Sequence, residues 1–395
     1  MKKVSLGFFI GVTIVSLVSV FSLWGCKVAP VEEKVTEEEV APAEEEAAVP
    51  GAKEPPYTIG FANGWIGNYW RAQLVSDFEQ KAAFYKGQGI IEETIIANSP
   101  NDLTLQLNQL NGMIDQDVDA IMPDPVSATA LGPIISRANE KGILTVITND
   151  PAAYPDIITI CGDNYTWWEI QVKWLAEKLG GKGDIVVITG VPGNTADILR
   201  VRAMEDVLKD YPEINILADA PGWWDGAKAQ EAAATLLASY PKIDAWLIQD
   251  VMAEGVLRAC EAAGRIPKIM TGDYTAGFLR LWKEMPDLES IGVPYAPAHA
   301  GDALGFTVKL LQGKKIKQEL FEPNPMDPTL VNAIMIPVPY VVTMEAEPDA
   351  SWMEDVSPLT QAISLEEALK LCEPYPDTYM LDKVMTEEEI DTCFE

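Results

Sequence analysis

The sequence has 395 residues, and 48% of them are hydrophobic, which is enough to bury the cores of two or three units of about 150 residues each. The formal net charge is −31, and so acidic a surface repels phosphate backbones, which argues against nucleic acid as a partner. The five cysteines form no metal-type cluster, and His299 is the single histidine, so no metal site is predicted.

Residues 1–26 resemble an export signal. Two lysines precede an apolar run, 4–24, which Gly25 and Cys26 follow. A small residue just before a cysteine at the end of such a run is typical of a bacterial lipoprotein, so we predict cleavage before Cys26 and lipidation of its thiol. The run is also long enough to span a bilayer, which leaves an uncleaved anchor and a plain signal peptide as alternatives.

The next segment, 27–56, consists mainly of Glu, Ala, Val and Pro. It lacks the large apolar side chains that would offset the entropy cost of ordering it, and its like charges repel one another. We therefore interpret it as an acidic linker that holds the folded part away from the membrane.

From residue 57 onward, short apolar runs of the strand type alternate with segments of helical length. The predicted strands are 57–62, 120–122, 144–148, 157–161, 185–189, 245–248, 268–271 and 291–293. One predicted helix follows Asp102 and places Leu103, Leu107, Leu110 and Ile114 on one face. Two further helices are predicted at 227–237 and 253–263.

This alternation predicts an α/β protein with parallel sheets, either one (β/α)₈ barrel or two smaller sheets. Both architectures place functional groups at the carboxyl ends of the strands, where acidic residues follow several of the predicted strands. These acids are Asp124, Asp150, Asp163, Asp250 and Asp273. Periodicity alone leaves the choice between the two architectures open, and each acid is equally compatible with helix capping.

An ordered set of short motifs between residues 57 and 313 resembles the ribose-type periplasmic sugar-binding family. The motifs are FANGWIGNYWRAQL (61–74), DAIMPDP (119–125), VITND (146–150), VPGNTADILRVRAM (191–204), IQDVMAEGVL (248–257) and TGDY (271–274). The resemblance implies the type I periplasmic binding fold, in which two doubly wound parallel-sheet lobes are joined by a hinge of three crossings. We expect the crossings near Asp163, Tyr295 and Phe321.

On this resemblance the N-terminal lobe comprises 57–162 plus 297–321, and the C-terminal lobe comprises 163–296 plus 322–345. An acidic extension, 346–395, follows and contains a short predicted helix that starts at Leu365. Because an exported protein can form disulfides, Cys372 and Cys393 in this extension are candidates for one.

The resemblance also assigns a ligand site, residue by residue. The implied ligand-binding residues are Asn68, Tyr69, Trp70, Asp124, Asp150, Arg202, Trp224, Gln249, Asp273 and Tyr295. The arginine that follows the acid of the fourth strand in ribose binders is Pro151 here, and we expect Arg71 to replace it. Carboxylates accept hydroxyl hydrogens, arginine and amides donate to sugar oxygens, and tryptophan covers the C–H faces of a sugar ring.

The implied function is to bind a sugar or polyol outside the cytoplasmic membrane, as a lipid-anchored monomer, and to deliver it to an ABC permease. A sensory module that presents its ligand to a membrane receptor is an alternative. The sequence contains no phosphate-binding glycine loop and no catalytic motif that uses its one histidine, so we predict neither an enzyme nor a cofactor. A glycosidase built on Asp150 and Asp273 is the remaining enzymatic alternative.

Overall fold

The computed structural model describes residues 51–155, 157–354 and 356–395. The predicted signal with Cys26, and most of the linker, lie outside the described residues. The strands are β1 (Tyr57–Asn63), β2 (Ile91–Asn98), β3 (Ala120–Asp124), β4 (Leu144–Thr148), β5 (Ile158–Gly162), β6 (Lys182–Thr189), β7 (Glu213–Pro221), β8 (Ala245–Ile248), β9 (Ile269–Thr271), β10 (Glu289–Ile291), β11 (Glu322–Asn324), β12 (Asp327–Ile336), β13 (Tyr340–Thr343) and β14 (Gln361–Ser364).

The helices connect these strands, and most of them are crossovers between parallel neighbours. They are α1 (Tyr69–Gly87), α2 (Leu103–Asp115), α3 (Gly132–Glu140), α4 (Asn164–Lys178), α5 (Thr195–Leu208), α6 (Gly226–Ser239), α7 (Ala253–Ala262), α8 (Ala276–Lys283), α9 (His299–Leu311), α10 (Leu365–Cys372) and α11 (Glu387–Asp391). Short 3₁₀ turns occupy Gln318–Leu320 and Ser351–Met353. None of the helices in the described ranges is long and apolar enough to cross a membrane.

The N-terminal lobe contains a seven-stranded sheet in the order β11-β12-β5-β4-β3-β1-β2. All neighbouring strands in it are parallel except β11, which is antiparallel to β12. Strands β3, β4 and β5 are buried along their whole length. Helices on both faces of a parallel sheet require such continuously apolar strands, which is why these segments lack a polar face.

The C-terminal lobe contains a five-stranded, fully parallel sheet in the order β10-β9-β8-β6-β7. Two separate sheets with crossover helices confirm the two-lobe fold that the family resemblance implies, and they exclude the single barrel. The chain passes from the first lobe to the second between β5 and α4, and it returns between β10 and α9. These passages lie at the predicted positions near Asp163 and Tyr295.

The third passage differs from the prediction. Residues 322–336 were assigned to the C-terminal lobe, but β11 and β12 belong to the sheet of the N-terminal lobe, where Ala333–Ile336 pairs with Thr159–Gly162 of β5. Without β12, β5 would leave a long apolar edge unpaired, which explains the placement. The passage therefore lies at 337–339 and not near Phe321, and β13 then pairs with Gly292 beside the second passage.

The C-terminal extension adds a further link between the lobes. Helix α10 lies against α8 of the C-terminal lobe, where Arg280 Nη2 donates to the carbonyl oxygen of Cys372 at 3.1 Å. Helix α11 lies against α9 of the N-terminal lobe, where Lys309 Nζ is 2.9 Å from a carboxylate oxygen of Asp391. Within the described residues the chain thus joins the lobes four times, one more than the predicted three.

Candidate ligand-binding site

A cleft of about 370 Å³ lies at the carboxyl ends of both parallel sheets. Loops at this edge of a doubly wound sheet are where such folds bind ligands. The polar and aromatic residues that line it from the N-terminal lobe are Trp65, Asn68, Trp70, Arg71, Asn101, Asn149 and Asp150. Those from the C-terminal lobe are Asn194, Arg200, Trp223, Trp224, Lys228 and Asp250, and Tyr295 lines it from the second passage.

On the N-terminal side, the first turn of α1 places two of these side chains. Asn68 caps the helix, with its side-chain oxygen accepting from the backbone N–H of Arg71 at 2.9 Å. Arg71 then extends to the ends of β3 and β4, where it pairs with Asp124 and, at 2.8 Å, with Asp150. One guanidinium thus joins two strand ends, and Asp150 stays accessible to the cleft while Asp124 is buried behind it.

On the C-terminal side, a second arginine–carboxylate pair lies deeper. Arg200 is 2% exposed, and its Nη1 is 2.6 Å from a carboxylate oxygen of Asp250. Its Nε donates to Asn164 at 2.9 Å. The guanidinium lies over two aromatic rings, at 4.1 Å from the Trp167 centroid and 4.8 Å from that of Tyr295. A planar, always charged group with five donors fits this stacked and multiply bonded position, and lysine does not.

Trp224 forms the aromatic wall of the same lobe. Its Nε1 donates to Gln249 Oε1 at 3.0 Å, and Gln249 in turn donates to Asp197 at 2.8 Å. A Cβ atom at Gly190 would lie only 2.2 Å from the Trp224 indole, so this packing requires glycine there. Trp223 and Trp224 both have positive φ, 62° and 52°, a conformation that costs free energy and concentrates at functional sites.

Tyr295 connects the two walls at the hinge. Its carbonyl oxygen accepts from Trp70 Nε1 at 2.7 Å and from the Tyr274 hydroxyl at 2.9 Å. A carboxylate oxygen of Asp250 lies 2.8 Å from the same hydroxyl, whose single hydrogen is therefore shared between the two acceptors, and burial raises the pKa of Tyr274 well above its ordinary value. The hinge therefore holds Trp70 of one lobe and Asp250 of the other through shared hydrogen bonds.

His299 lies behind Tyr295 and is buried. Burial, together with the nearby charge of Arg200, lowers its pKa to about 3, so the imidazole is neutral. Its ring meets that of Tyr295 edge-on at 4.7 Å. These contacts give His299 a packing role at the start of α9 and no place in the cleft wall.

The structure brings together six of the predicted ligand residues at the cleft surface: Asn68, Trp70, Arg71, Asp150, Trp224 and Tyr295. Asp124 and Gln249 lie one layer behind it, where they hold Arg71 and Trp224 in place. Tyr69 does not line the cleft, and 65% of it is exposed, because it lies about 100° around α1 from Trp70.

Two of the ligand-binding residues predicted in the C-terminal lobe, Arg202 and Asp273, do not line the cleft. Arg202 is exposed on the outer face of α5, 5.8 Å from the Tyr165 ring, and Arg200 occupies the cleft instead. Two residues along a helix correspond to about 200°, so the two arginines face opposite ways. Asp273 is 2% exposed and does not line the cleft, where Asp250 is the acid.

Asp273 has a different environment from the cleft acids. Its carboxylate accepts from the backbone N–H of Tyr274 at 2.8 Å. Burial, with a contribution from the charge of Asp250, raises the pKa of Asp273 to about 8. The position thus favours a neutral carboxylic acid beneath the site.

The candidate disulfide is not formed in the structure. Cys372 and Cys393 are both free, as are Cys161 and Cys260, within the part of the chain described. Cys372 lies against the C-terminal lobe, whereas the carbonyl of Cys393 accepts from Lys317, in the segment that follows α9. Because the extension separates the two cysteines onto different lobes, their thiols do not meet.

Comparisons with known proteins agree with a two-lobed binding protein. A family model described as the periplasmic binding protein domain matches residues 59–315, well over half of the chain. The chain belongs to the periplasmic binding protein family. As a member of this family it is a binding protein and not an enzyme, as the sequence predicted.

Individual relatives agree with this assignment. The chain is 34% identical to the xylitol-binding protein of Mycolicibacterium smegmatis over 176 residues, which are 44% of this chain and half of that protein. It is 25% identical to the ribose import binding protein of Bacillus subtilis over 270 residues, which are 68% of this chain and 86% of that one. An ABC transporter solute binding protein from Thermobispora bispora superposes with a TM-score of 0.63 at 27% identity, over 80% of this chain and 95% of that chain.

Proposed function

We propose that the protein captures an uncharged sugar or polyol in the cleft between its lobes and delivers it to an ABC permease. The observation that supports this best is that each lobe contributes an arginine–carboxylate pair and a tryptophan to one cleft: Arg71, Asp150 and Trp70 from the first, Arg200, Asp250 and Trp224 from the second. Carboxylates accept and guanidiniums donate around the hydroxyl-rich rim of such a ligand, and indoles cover its C–H faces.

The charges of the cleft support an uncharged ligand. Arg71 is compensated by Asp124 and Asp150, and Arg200 by Asp250. Lys228 is the remaining cation among the lining residues, and it is exposed, with its Nζ 5.0 Å from the Trp223 ring. Since the guanidiniums of both Arg71 and Arg200 already have carboxylate partners, a ligand needs no charge of its own to bind.

Relatives support the same ligand class. Two of them are named for a polyol, xylitol, and for a sugar, ribose. Pro151 stands where ribose binders carry the arginine that follows the acid of the fourth strand, and Arg71 lies beside that acid, Asp150. This change alters the hydrogen-bond donors at one edge of the site. We infer that the ligand differs from ribose at the hydroxyl groups that meet this edge.

Delivery follows from the arrangement of the lobes. Ligand groups come from both lobes, so a ligand that bridges them stabilises a closed form. We propose that the closed monomer is the form that the permease recognises. Neither lobe alone therefore supplies all the side chains that we propose bind the ligand.

A thermal-shift screen tests the proposed ligand class. Pentoses, hexoses, inositols and linear polyols are compared with sugar phosphates and amino acids as charged controls. We expect at least one uncharged sugar or polyol to raise the melting temperature, because a ligand at 100 times its Kd adds about 2.7 kcal/mol to stability. A rise with charged compounds alone would contradict the proposal.

The membrane anchor is a separate proposal, and it rests on the sequence around Cys26. We propose that the mature protein begins at Cys26 and is attached to the outer face of the cytoplasmic membrane by a lipid on that thiol, with the acidic linker as spacer. Cys26→Ser is expected to give an uncleaved precursor or a protein released from the membrane. Fractionation and electrophoretic mobility identical to the parent would show that Cys26 has no such role.

A further inference from the structure

The last 23 residues, 373–395, form a segment that we call the C-terminal strap. Its first part pairs with the C-terminal lobe: the backbone N–H of Ala276 donates to Tyr379 at 2.8 Å, and that of Leu381 donates to Tyr274 at 2.9 Å. Asp377 pairs with Arg280 of α8 as well. These bonds dock the strap beside Tyr274, the residue whose hydroxyl bonds both Asp250 and the hinge.

The next part of the strap docks on the N-terminal lobe. Gln73 on α1 forms reciprocal bonds with Met380, donating to its carbonyl at 3.0 Å and accepting from its N–H at 2.9 Å. Asp302 on α9 accepts from the N–H of Met385 at 2.7 Å. Gln73 lies within one turn of Trp70 and Arg71, so the strap fixes the cleft end of α1 relative to the other lobe.

The strap also touches the second passage of the hinge. A carboxylate oxygen of Asp382 accepts from the backbone N–H of Ala298 at 2.9 Å, three residues after Tyr295. The strap therefore contacts both lobes and the chain between them. Widening the cleft by rotation about the hinge requires these contacts to shift or break.

Three carboxyl groups meet where the strap docks on the N-terminal lobe, and we call them the carboxyl cluster: Asp77 on α1, Asp302 on α9 and Asp382 on the strap. Asp77 and Asp302 are 8% and 1% exposed, and one oxygen of Asp77 has no hydrogen-bond partner among the described residues. The ionisable groups around the cluster are Lys81 and Tyr85 on α1, Lys383 and Glu389 on the strap, and Tyr340 and Tyr379 beside Asp382.

The lysines nearest to the carboxyl cluster form their ion pairs with glutamates outside it. Lys81 Nζ donates to the carbonyl of Met385 at 3.0 Å and pairs with Glu387 at 2.8 Å. Lys383 pairs with Glu389 at 2.6 Å. The charge of Lys81 favours ionisation of Asp302, but burial outweighs it. Carboxylates packed together in this way, with Asp77 and Asp302 buried and Asp382 half-buried, repel one another, whereas protonated carboxyl groups can share hydrogen bonds.

We propose that the C-terminal strap is a pH-dependent brace, which limits the opening of the cleft while the carboxyl cluster is neutral and lets the lobes open wider when the cluster becomes charged. The proposal does not depend on which ligand the cleft binds.

The raised pKa values of the three carboxyl groups in the docked state determine the direction of the pH dependence. Burial raises the pKa of Asp302 to about 7 and that of Asp77 to about 6, and burial together with the charge of Asp77 raises the pKa of Asp382 well above the ordinary 3.8. Carboxyl groups whose pKa is higher in the docked state than in the undocked state favour docking. Their full contribution is present when the pH is below their ordinary pKa of 3.8. That stabilisation is lost as the pH rises to about 7, so docking is firm in acid and weak above neutrality.

The test uses the ligand-free full chain at pH 5.5 and pH 8. Hydrogen exchange of the Met380 and Met385 amides, corrected for the intrinsic effect of pH, should show protection that is lower by about tenfold or more at pH 8. Small-angle scattering should show a larger radius of gyration at pH 8, where the brace is released.

The variant Asp77→Asn/Asp302→Asn/Asp382→Asn keeps the shape of the neutral cluster and should stay protected at both pH values. Asp210→Asn, at an exposed acid of the other lobe, is the matched control and should behave like the parent. A chain that ends at Cys372 should show the larger radius at both pH values; if it does not fold, the triple variant still decides. Equal protection of the parent at both pH values, or a parental pH dependence in the triple variant, would overturn the proposal.

Discussion

Replacing Arg200 by lysine is expected to lower the affinity for the ligand by about tenfold to a hundredfold, as measured by calorimetric titration. Lysine keeps the charge near Asp250 but cannot bond Asp250 and Asn164 together while stacking between Trp167 and Tyr295. The loss corresponds to one hydrogen bond to a charged group, about 1.5–3 kcal/mol.

Arg202→Lys provides the matched control, since it lies on the same helix and makes the same chemical change. Arg202 is exposed and faces Tyr165, so its replacement should leave the affinity unchanged. A large loss of affinity with Arg202→Lys, together with normal binding by Arg200→Lys, would show that the ligand-binding arginine is Arg202, as the family resemblance implies, and not Arg200.

Asp250→Asn is expected to weaken both binding and folding, and Asp273→Asn to weaken neither at neutral pH. Asp250 holds Arg200 and the Tyr274 hydroxyl, so its loss leaves a buried guanidinium without its counter-charge. Breaking one side of a buried pair costs about 3 kcal/mol or more in the free energy of unfolding. Thermal melts and titrations of the two variants in parallel measure both effects.

Asp273→Asn has a pH signature of its own. The parent's Asp273 has an ordinary pKa of 3.8 when unfolded and about 8 when folded, so its contribution to stability declines as the pH rises between these values. Asparagine does not titrate, so the variant should gain stability relative to the parent as the pH is raised from 4 to 8. A constant difference across this range would show that Asp273 is already ionised in the folded protein.

The buried strands could be predicted from the sequence because their apolar runs are continuous. The predicted 144–148 and 245–248 match β4 and β8 at both ends. Strands β2 and β7 lie at the edges of their sheets, and they were missed because their many exposed positions interrupt the apolar pattern. The apolar run 334–342 does not form one strand, because the structure divides it between β12 and β13, which belong to different sheets.

The family resemblance indicated Asp150, which follows a strand, and Trp70, which lies in the first turn of a helix, and both residues line the cleft. The site was not predictable where the answer depends on the direction in which a helix faces. Arg200 and Arg202 are chemically equal in the sequence, and only the packing of α5 selects one of them. Asp250 and Asp273 both follow strands, but the structure places only Asp250 at the cleft, beside Arg200.

Trp65, Trp223 and Lys228 were also missed, although the sequence offered a partial indication for two of them. Trp65 lies inside the motif that contains Trp70, and Trp223 is adjacent to Trp224. The contacts of the strap had no indication in the sequence, because its partners Gln73, Asp302 and Tyr274 lie between 83 and 307 residues away along the chain.

A crystal structure of the protein with the sugar or polyol that most raises its melting temperature tests the central claim most directly. We expect the ligand between Trp70 and Trp224, with Asp150 and Arg71 of one lobe and Arg200 and Asp250 of the other within hydrogen-bond distance of its hydroxyl groups. A ligand bound outside this cleft, or one that contacts a single lobe, would contradict the account.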